Sequence, residues 1–153
     1  MKKIVDYSSI RGFNYTPSTA VQSRSAWLQY DHDLVERDMG YAERLRLNSA
    51  RIFLPYSCYV RDRDAYLANV KDFIRTAWKH GVSTNPIVIF GLYTSDDRTK
   101  EFEPVEGETL PPVAKTIRDP SLWHIGEKYF DDLYAAVGQE PGILFWDISN
   151  EPG

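Results

Sequence analysis

The stretch Gly142-Ile143-Leu144-Phe145-Trp146-Asp147-Ile148-Ser149-Asn150-Glu151-Pro152-Gly153 decides how this chain is read. Its apolar run, Ile143 to Trp146 with Ile148, is β-branched, aromatic and too short for a helix, so it predicts a buried strand. The strand ends in Asn150-Glu151, after which Pro152 forbids further pairing in a central strand. A strand that delivers a carboxamide and a carboxylate to its C-terminal tip is how an α/β enzyme presents chemistry. Asn, Pro and Gly are also ordinary turn residues, and the tetrapeptide alone does not separate a site from a turn. Asp147 lies on the same strand face as Glu151 but about 13 Å from it along the strand. That is too far for a close catalytic dyad, while a role as a buried hydrogen-bonding partner stays open to it.

Upstream of this strand the chain alternates strands and helices. Gly12 to Tyr15 is a short strand candidate, closed by Thr16-Pro17-Ser18, and a polar loop with Trp27 in it follows from Thr19 to Tyr30. Asp33 and Glu36 form a D-x-x-E start signal for a helix with Val35, Met39, Ala42 and Leu45 at helical spacing, stopping near Asn48. Ser49 to Pro55 is the second strand. Asp64 can cap a helix whose apolar face is Leu67, Val70, Ile74 and Ala77, closed by His80-Gly81. The third strand is expected from Pro86 to Phe90, with Pro86 at its start, where a missing N–H is tolerated.

A long loop from Gly91 to Arg118 carries Asp96, Asp97, Glu101, Glu103, Glu106 and Glu108 among Pro and Gly, and reads as a solvated connection. Asp119-Pro120 opens a third helix with Leu122, Ile125, Tyr129, Leu133 and Val137 as its stripe, ended by Gly138. The first three strands start about 37 residues apart, at Gly12, Ser49 and Pro86. The order β-α-β-α-β-α-β predicts a parallel sheet with helices packed outside, because a right-handed crossover needs a helix to return the chain.

Composition bounds the function. With 153 residues the chain can bury one core, and one domain is expected. A net charge of −4 and the lack of a basic stripe argue against a nucleic-acid surface. No apolar stretch approaches the length of a membrane span. Met1-Lys2-Lys3 runs directly into Ile4-Val5-Asp6 without an apolar leader segment, which points to a cytoplasmic chain or to one whose leader has been removed. Cys58 is the single cysteine, so neither an intramolecular disulfide nor a thiolate metal cluster is expected. His32, His80 and His124 lack ligand spacing, and no metal is expected. Aromatic residues make up 14% of the chain, suited either to a core or to stacking on sugar faces.

Arg51 stands inside the otherwise apolar strand S-A-R-I-F-L-P, where an unpaired guanidinium is costly; it requires a carboxylate, amide or ligand partner unless the strand lies at an edge.

The run Trp146-Asp147-Ile148-Ser149-Asn150-Glu151-Pro152 resembles the fourth-strand motif of the clan A retaining glycoside hydrolases, the (β/α)8 group that includes cellulases and mannanases. Arg51-Ile52 is similar to the second-strand position of the same clan, and Gly12-Phe13-Asn14-Tyr15 to its first strand. The resemblance covers about Gly12 to Gly153 and implies an α/β fold: the first half of a TIM (β/α)8 barrel, as a single partial domain over residues 1–153. It implies that Glu151 is the general acid/base, that Asn150 contacts the sugar 2-hydroxyl, and that Arg51 neighbours the nucleophile and holds it ionised. Such chemistry needs an acid with a raised pKa and a second carboxylate about 5–5.5 Å away, and no cofactor. In the clan the nucleophile ends the seventh strand, so these residues supply half of an active site. Where many members place a His near the end of strand three, this chain has Phe90-Gly91-Leu92-Tyr93.

Tyr15, Tyr56 and Tyr93, each just beyond a strand's C-terminal end, are candidate sugar-stacking residues or rim packing. The expected partners are a carbohydrate substrate and either the remaining half of the barrel or a second copy of the chain, with the 153 residues inactive alone. A small flavodoxin-like binding domain shares the alternation but would want a glycine-rich phosphate cradle before its first helix. A non-catalytic carbohydrate-binding fragment is a third reading.

Overall fold

The computed structural model describes residues 7–20, 23–89 and 120–150. The acid-rich loop with Tyr93, the Asp119 cap and Glu151 lie outside the described residues. Four strands form one sheet, β1 (Gly12–Asn14), β2 (Ser49–Phe53), β3 (Ser83–Ile89) and β4 (Asp147–Ser149), with helices α1 (Ser23–Leu28), α2 (His32–Arg44), α3 (Tyr56–Arg61), α4 (Arg63–Lys79) and α5 (Trp123–Val137). All pairings are parallel and the spatial order is β1-β2-β3-β4. With right-handed crossovers, a sheet that grows in one direction carries its helices on one side. A flavodoxin-like sheet would instead reverse its strand order at a switch point. The sequential order removes that alternative and is the order of the first four strands of a (β/α)8 barrel.

The helix side is the core. Ala50, Ile52, Leu54 and Val88 are buried together with Val35, Met39, Val70, Phe73, Ile74, Ala77, Leu133 and Val137 in one cluster. The stripes expected for the three long helices are largely the buried ones; Leu45 lies beyond α2 and is 71% exposed, Ile125 is half-buried, and the Leu122 side chain lies outside what is described. The caps fall two residues ahead of expectation. Asp31 accepts the Leu34 N–H at the start of α2, and Asp62 accepts the Ala65 N–H at the start of α4. Asp33 and Asp64 sit in the first turns instead, where they complement the helix dipole. α2 does not reach Asn48; it stops at Arg44, and Arg46 takes a left-handed φ of 59° while Leu47 N–H bonds back to the Ala42 carbonyl. Asn48 anchors the lead-in, accepting from Arg11 N–H and donating to the Ser9 carbonyl.

Two further differences bear on the site. The polar segment around Trp27 contains α1, and Trp27 is buried, donating its indole N–H to the Phe53 carbonyl at 2.6 Å. β3 begins at Ser83, so Pro86 is inside the strand, paired in register with Ile52. The Thr84 N–H and carbonyl both bond toward the β4 side, to Gly142 and Leu144. In a parallel ladder Pro86, two residues on, presents its missing N–H to the same side. There the ladder lapses: from Thr84↔Ile143 to Ile87↔Asp147 the chain advances three residues along β3 and four along the facing segment. The extra residue thus falls where Pro86 has no N–H to give to the ladder. It also changes which face follows, because side chains alternate and a slip of one exchanges the faces. Ile143 packs toward the helix core, whereas Asp147 points to the opposite, barrel-interior side.

Candidate active site

The barrel-interior side of the sheet carries a polar row, with Phe53 and Ile87 beyond it toward the C-terminal end. Asn14, Arg51 and Asn85 are in register across β1, β2 and β3, and Asp147 and Ser149 continue that face on β4. Arg51 projects from the middle of β2 and reaches over β3 to the acid on β4. Its Nε and Nη2 both donate to Oδ2 of Asp147, at 3.0 and 2.7 Å, and Nη2 also donates to Oδ1 of Asn150 at 3.2 Å. The guanidinium carbon lies 5.5 Å from the centroid of the Phe53 ring. The Arg51 and Asp147 side chains are 31% and 24% exposed, so the pair is shielded from bulk water but open on one side. Its charge-assisted hydrogen bonds are correspondingly stronger than those of a surface pair. Nη1 makes no hydrogen bond to any described residue.

Two polar atoms on this face have no hydrogen-bond partner among the described residues: Asn85 Oδ1, whose amide nitrogen donates to Ser49 Oγ at 2.9 Å, and Ser149 Oγ. Buried acceptors and hydroxyls left unmet cost on the order of 1–3 kcal/mol each. Among the described residues no cluster of three or more His, Cys, Asp or Glu could hold a metal ion.

The structure thus brings together two of the residues singled out in the sequence, Arg51 and Asn150, and gives Asp147 as the partner that the strand-interior arginine requires. Glu151 follows immediately but lies outside the described residues, as does Tyr93. The two remaining tyrosines are not gathered to Arg51. Tyr15 packs its ring against Phe73 of α4 at 5.2 Å and donates its hydroxyl to Asp38 of α2 at 3.1 Å. Burial, reinforced by the Asp38 charge, holds its phenol well above the ordinary tyrosine range. Tyr56 stacks on Tyr59 at 5.6 Å and meets Tyr129 edge-on at 5.2 Å, and burial raises its pKa as well. Both rings serve the helix layer.

Sequence reasoning did not find the ion network that ties α5 to that aromatic cluster. Asp132 accepts from Tyr59, Arg63 and Lys128 at 2.6 to 3.0 Å. Arg63 above all, then Tyr59 and Lys128, hold its carboxyl far below the usual range, while burial and then Asp132 push Tyr59 up to about 12. Its only sequence signal is the spacing of Lys128 and Asp132 along one helix face.

No protein-family model matches the sequence, and no curated protein matches it significantly. Solved structures do. A GH5_18 protein from Streptomyces cattleya, in complex with GlcNAc, superposes with a TM-score of 0.70 at 24% identity over 92% of this chain and 33% of its own. A GH5_18 protein from Bifidobacterium longum subsp. infantis gives 0.66 at 23% identity, over 88% and 31%. A GH5_18 variant from Bifidobacterium longum subsp. longum, in complex with Manβ1-4GlcNAc, gives 0.64 at 20% identity, over 91% and 32%. The chain spans about a third of the length of these glycoside hydrolase structures. At these identities the likeness is one of fold: the sheet and its helices are built as the opening strands of a (β/α)8 barrel.

Proposed function

We propose that the chain carries the acid/base side of a retaining β-glycoside hydrolase acting on oligo- or polysaccharide. The observation that carries this reading is the Arg51–Asp147–Asn150 cluster toward the C-terminal end of a sequentially ordered parallel sheet, the end at which barrels bind their ligands. Glu151, the next residue, is the general acid/base, and Asn150 beside it contacts the sugar 2-hydroxyl. Arg51 keeps Nη1 for the nucleophilic carboxylate, which comes from strands beyond β4. A half-buried guanidinium at that point holds the nucleophile ionised, while the charge of the nucleophile raises the pKa of the acid across the scissile bond. The sugars in two of the similar structures, GlcNAc and Manβ1-4GlcNAc, support a carbohydrate substrate.

The test is hydrolysis of aryl β-glycosides by the 153 residues alone and after co-expression with the complementary strands of one of the similar barrels. No turnover is expected from the chain alone. Turnover of the reassembled barrel should fall by roughly 10²–10⁴ on Glu151→Gln, the range for losing a general acid. Reassembled activity that survives Glu151→Gln would overturn the assignment. Sugar binding without turnover in the reassembled barrel would instead mark a carbohydrate-binding fragment.

A further inference from the structure

Asn150 ends in two groups of opposite hydrogen-bonding character, and which of them faces the cleft decides what the site can recognise. An arginine only donates, so the Asn150 atom that meets Nη2 at 3.2 Å is the carbonyl Oδ1. Turning the carboxamide over would set its N–H₂ against the guanidinium, donor against donor. The guanidinium cannot swing away to relieve this, because Oδ2 of Asp147 holds both Nε and Nη2. Asp147, four residues on from Ile143, faces the barrel interior because one residue of that segment is spent outside the alternation.

We propose that Asp147 is a positioning residue: acting through Arg51, it locks the Asn150 carboxamide with Oδ1 turned inward and Nδ2 turned to the cleft. The site is thereby committed to offering an N–H donor, and selects sugars that present an acceptor oxygen at the contacted carbon. The identity of the ligand rests on the glycosidase reading; the orientation of the amide does not. Without the Asp147 carboxylate, Arg51 keeps one of its three hydrogen bonds and both guanidinium and carboxamide become free to turn.

Nuclear magnetic resonance of the labelled 153-residue chain tests this without substrate. In the wild-type chain the two Asn150 Nδ2 protons should give separate, fixed resonances, and the Arg51 Nε proton should exchange slowly with solvent. In Asp147→Asn the Nε proton should exchange about tenfold faster or more, the factor for losing one charge-assisted hydrogen bond, and the Asn150 pair should collapse toward the position of a free carboxamide. Asp147→Glu should restore both signals in part, which a purely packing role would not require. An Asp147→Asn chain with a native backbone spectrum and unmoved Asn150 side-chain signals would overturn the proposal. If that variant does not fold, the wild-type chain decides: strong cross-relaxation between the guanidinium protons and the Nδ2 protons would mean that the amide faces the other way. Either failure leaves the glycosidase reading standing, since that reading falls only on the Glu151→Gln measurement.

Discussion

Arg51 joins β2 to β4 across an intervening strand, and its removal leaves a carboxylate behind. Arg51→Met keeps much of the side-chain volume but strands Asp147, 24% exposed, without its donors. A loss of about 1–3 kcal/mol is expected, read as a lower urea midpoint. Arg51→Lys should recover only part of it, because one ammonium cannot reproduce donation from Nε and Nη2 together. Two other side chains set how stability follows pH. Asp132 is depressed by Arg63, Tyr59 and Lys128, so its contribution is complete above the unfolded value of about 3.9 and is lost as pH falls below it. Asp132→Asn should therefore flatten the acid limb of a plot of Tm against pH below about pH 4. His32 behaves oppositely. Its hydrogen bond to Asp72 raises its pKa, so its contribution is full below about 6.5 and fades as pH rises through the raised folded value. His32→Gln should remove the decline in Tm as pH rises above about 6.5 and, because Asp72 loses one of the partners that hold it low against its burial, also soften the acid limb.

Helices and strands follow from different kinds of pattern, and they were readable to different degrees. The stripes of α2, α4 and α5 are periodic, and periodicity survives any choice of end; Val35, Met39, Ala42, Leu67, Val70, Leu133 and Val137 are all buried as spaced. The ends were not so readable. Asp31 and Asp33, or Asp62 and Asp64, are equally able to cap, and the choice falls to whichever has a non-helical backbone, φ −130° at Asp31 and −152° at Asp62. Asp31→Ala and Asp62→Ala should each cost about 1 kcal/mol in thermal or urea unfolding, with Asp33→Ala and Asp64→Ala costing less. β3 starts three residues before the strand that its sequence predicts, because Ser83, Thr84 and Asn85 look like loop. Two of them face the barrel interior, and Thr84 bonds the Gly142 carbonyl, facts that only the neighbouring strands decide. Gly142 itself is where the segment leading to β4 presses on α4. A Cβ there would meet the Ile74 carbonyl and Trp78 Cβ at 3.0 Å, so Gly142→Val should destabilise by roughly 1–3 kcal/mol through overpacking.

As a whole the molecule has one finished side and one open one. The helix layer closes an apolar core, while on the opposite face Asn85 and Ile87 are buried beneath the Arg51–Asp147 pair and, among the described residues, no helix packs over it. The outer edges of β1 and β4 likewise lack a neighbouring strand there. Open edges recruit strands. Sedimentation of the 153-residue chain should show a mass that rises with concentration; a single monomeric species throughout would contradict this. The direction in which the sheet grows could be read from the alternation of elements and from the resemblance at Arg51 and Asn150-Glu151. The Arg51–Asp147 contact could not, because it spans 96 positions and depends on a spacing that no local pattern announces. That spacing has an arithmetic of its own. From Ile143 to Asp147 the last segment advances four residues against three on β3, so one residue is spent outside the alternation. Losing one of residues 144–146 would leave three against three, a plain alternation that still sets Asp147 opposite Ile87 on the cleft side, whereas losing two would turn Asp147 into the greasy layer beside Ile143. A homologue one residue shorter in this segment should therefore keep the cluster, and one two residues shorter should have lost it together with its orientation.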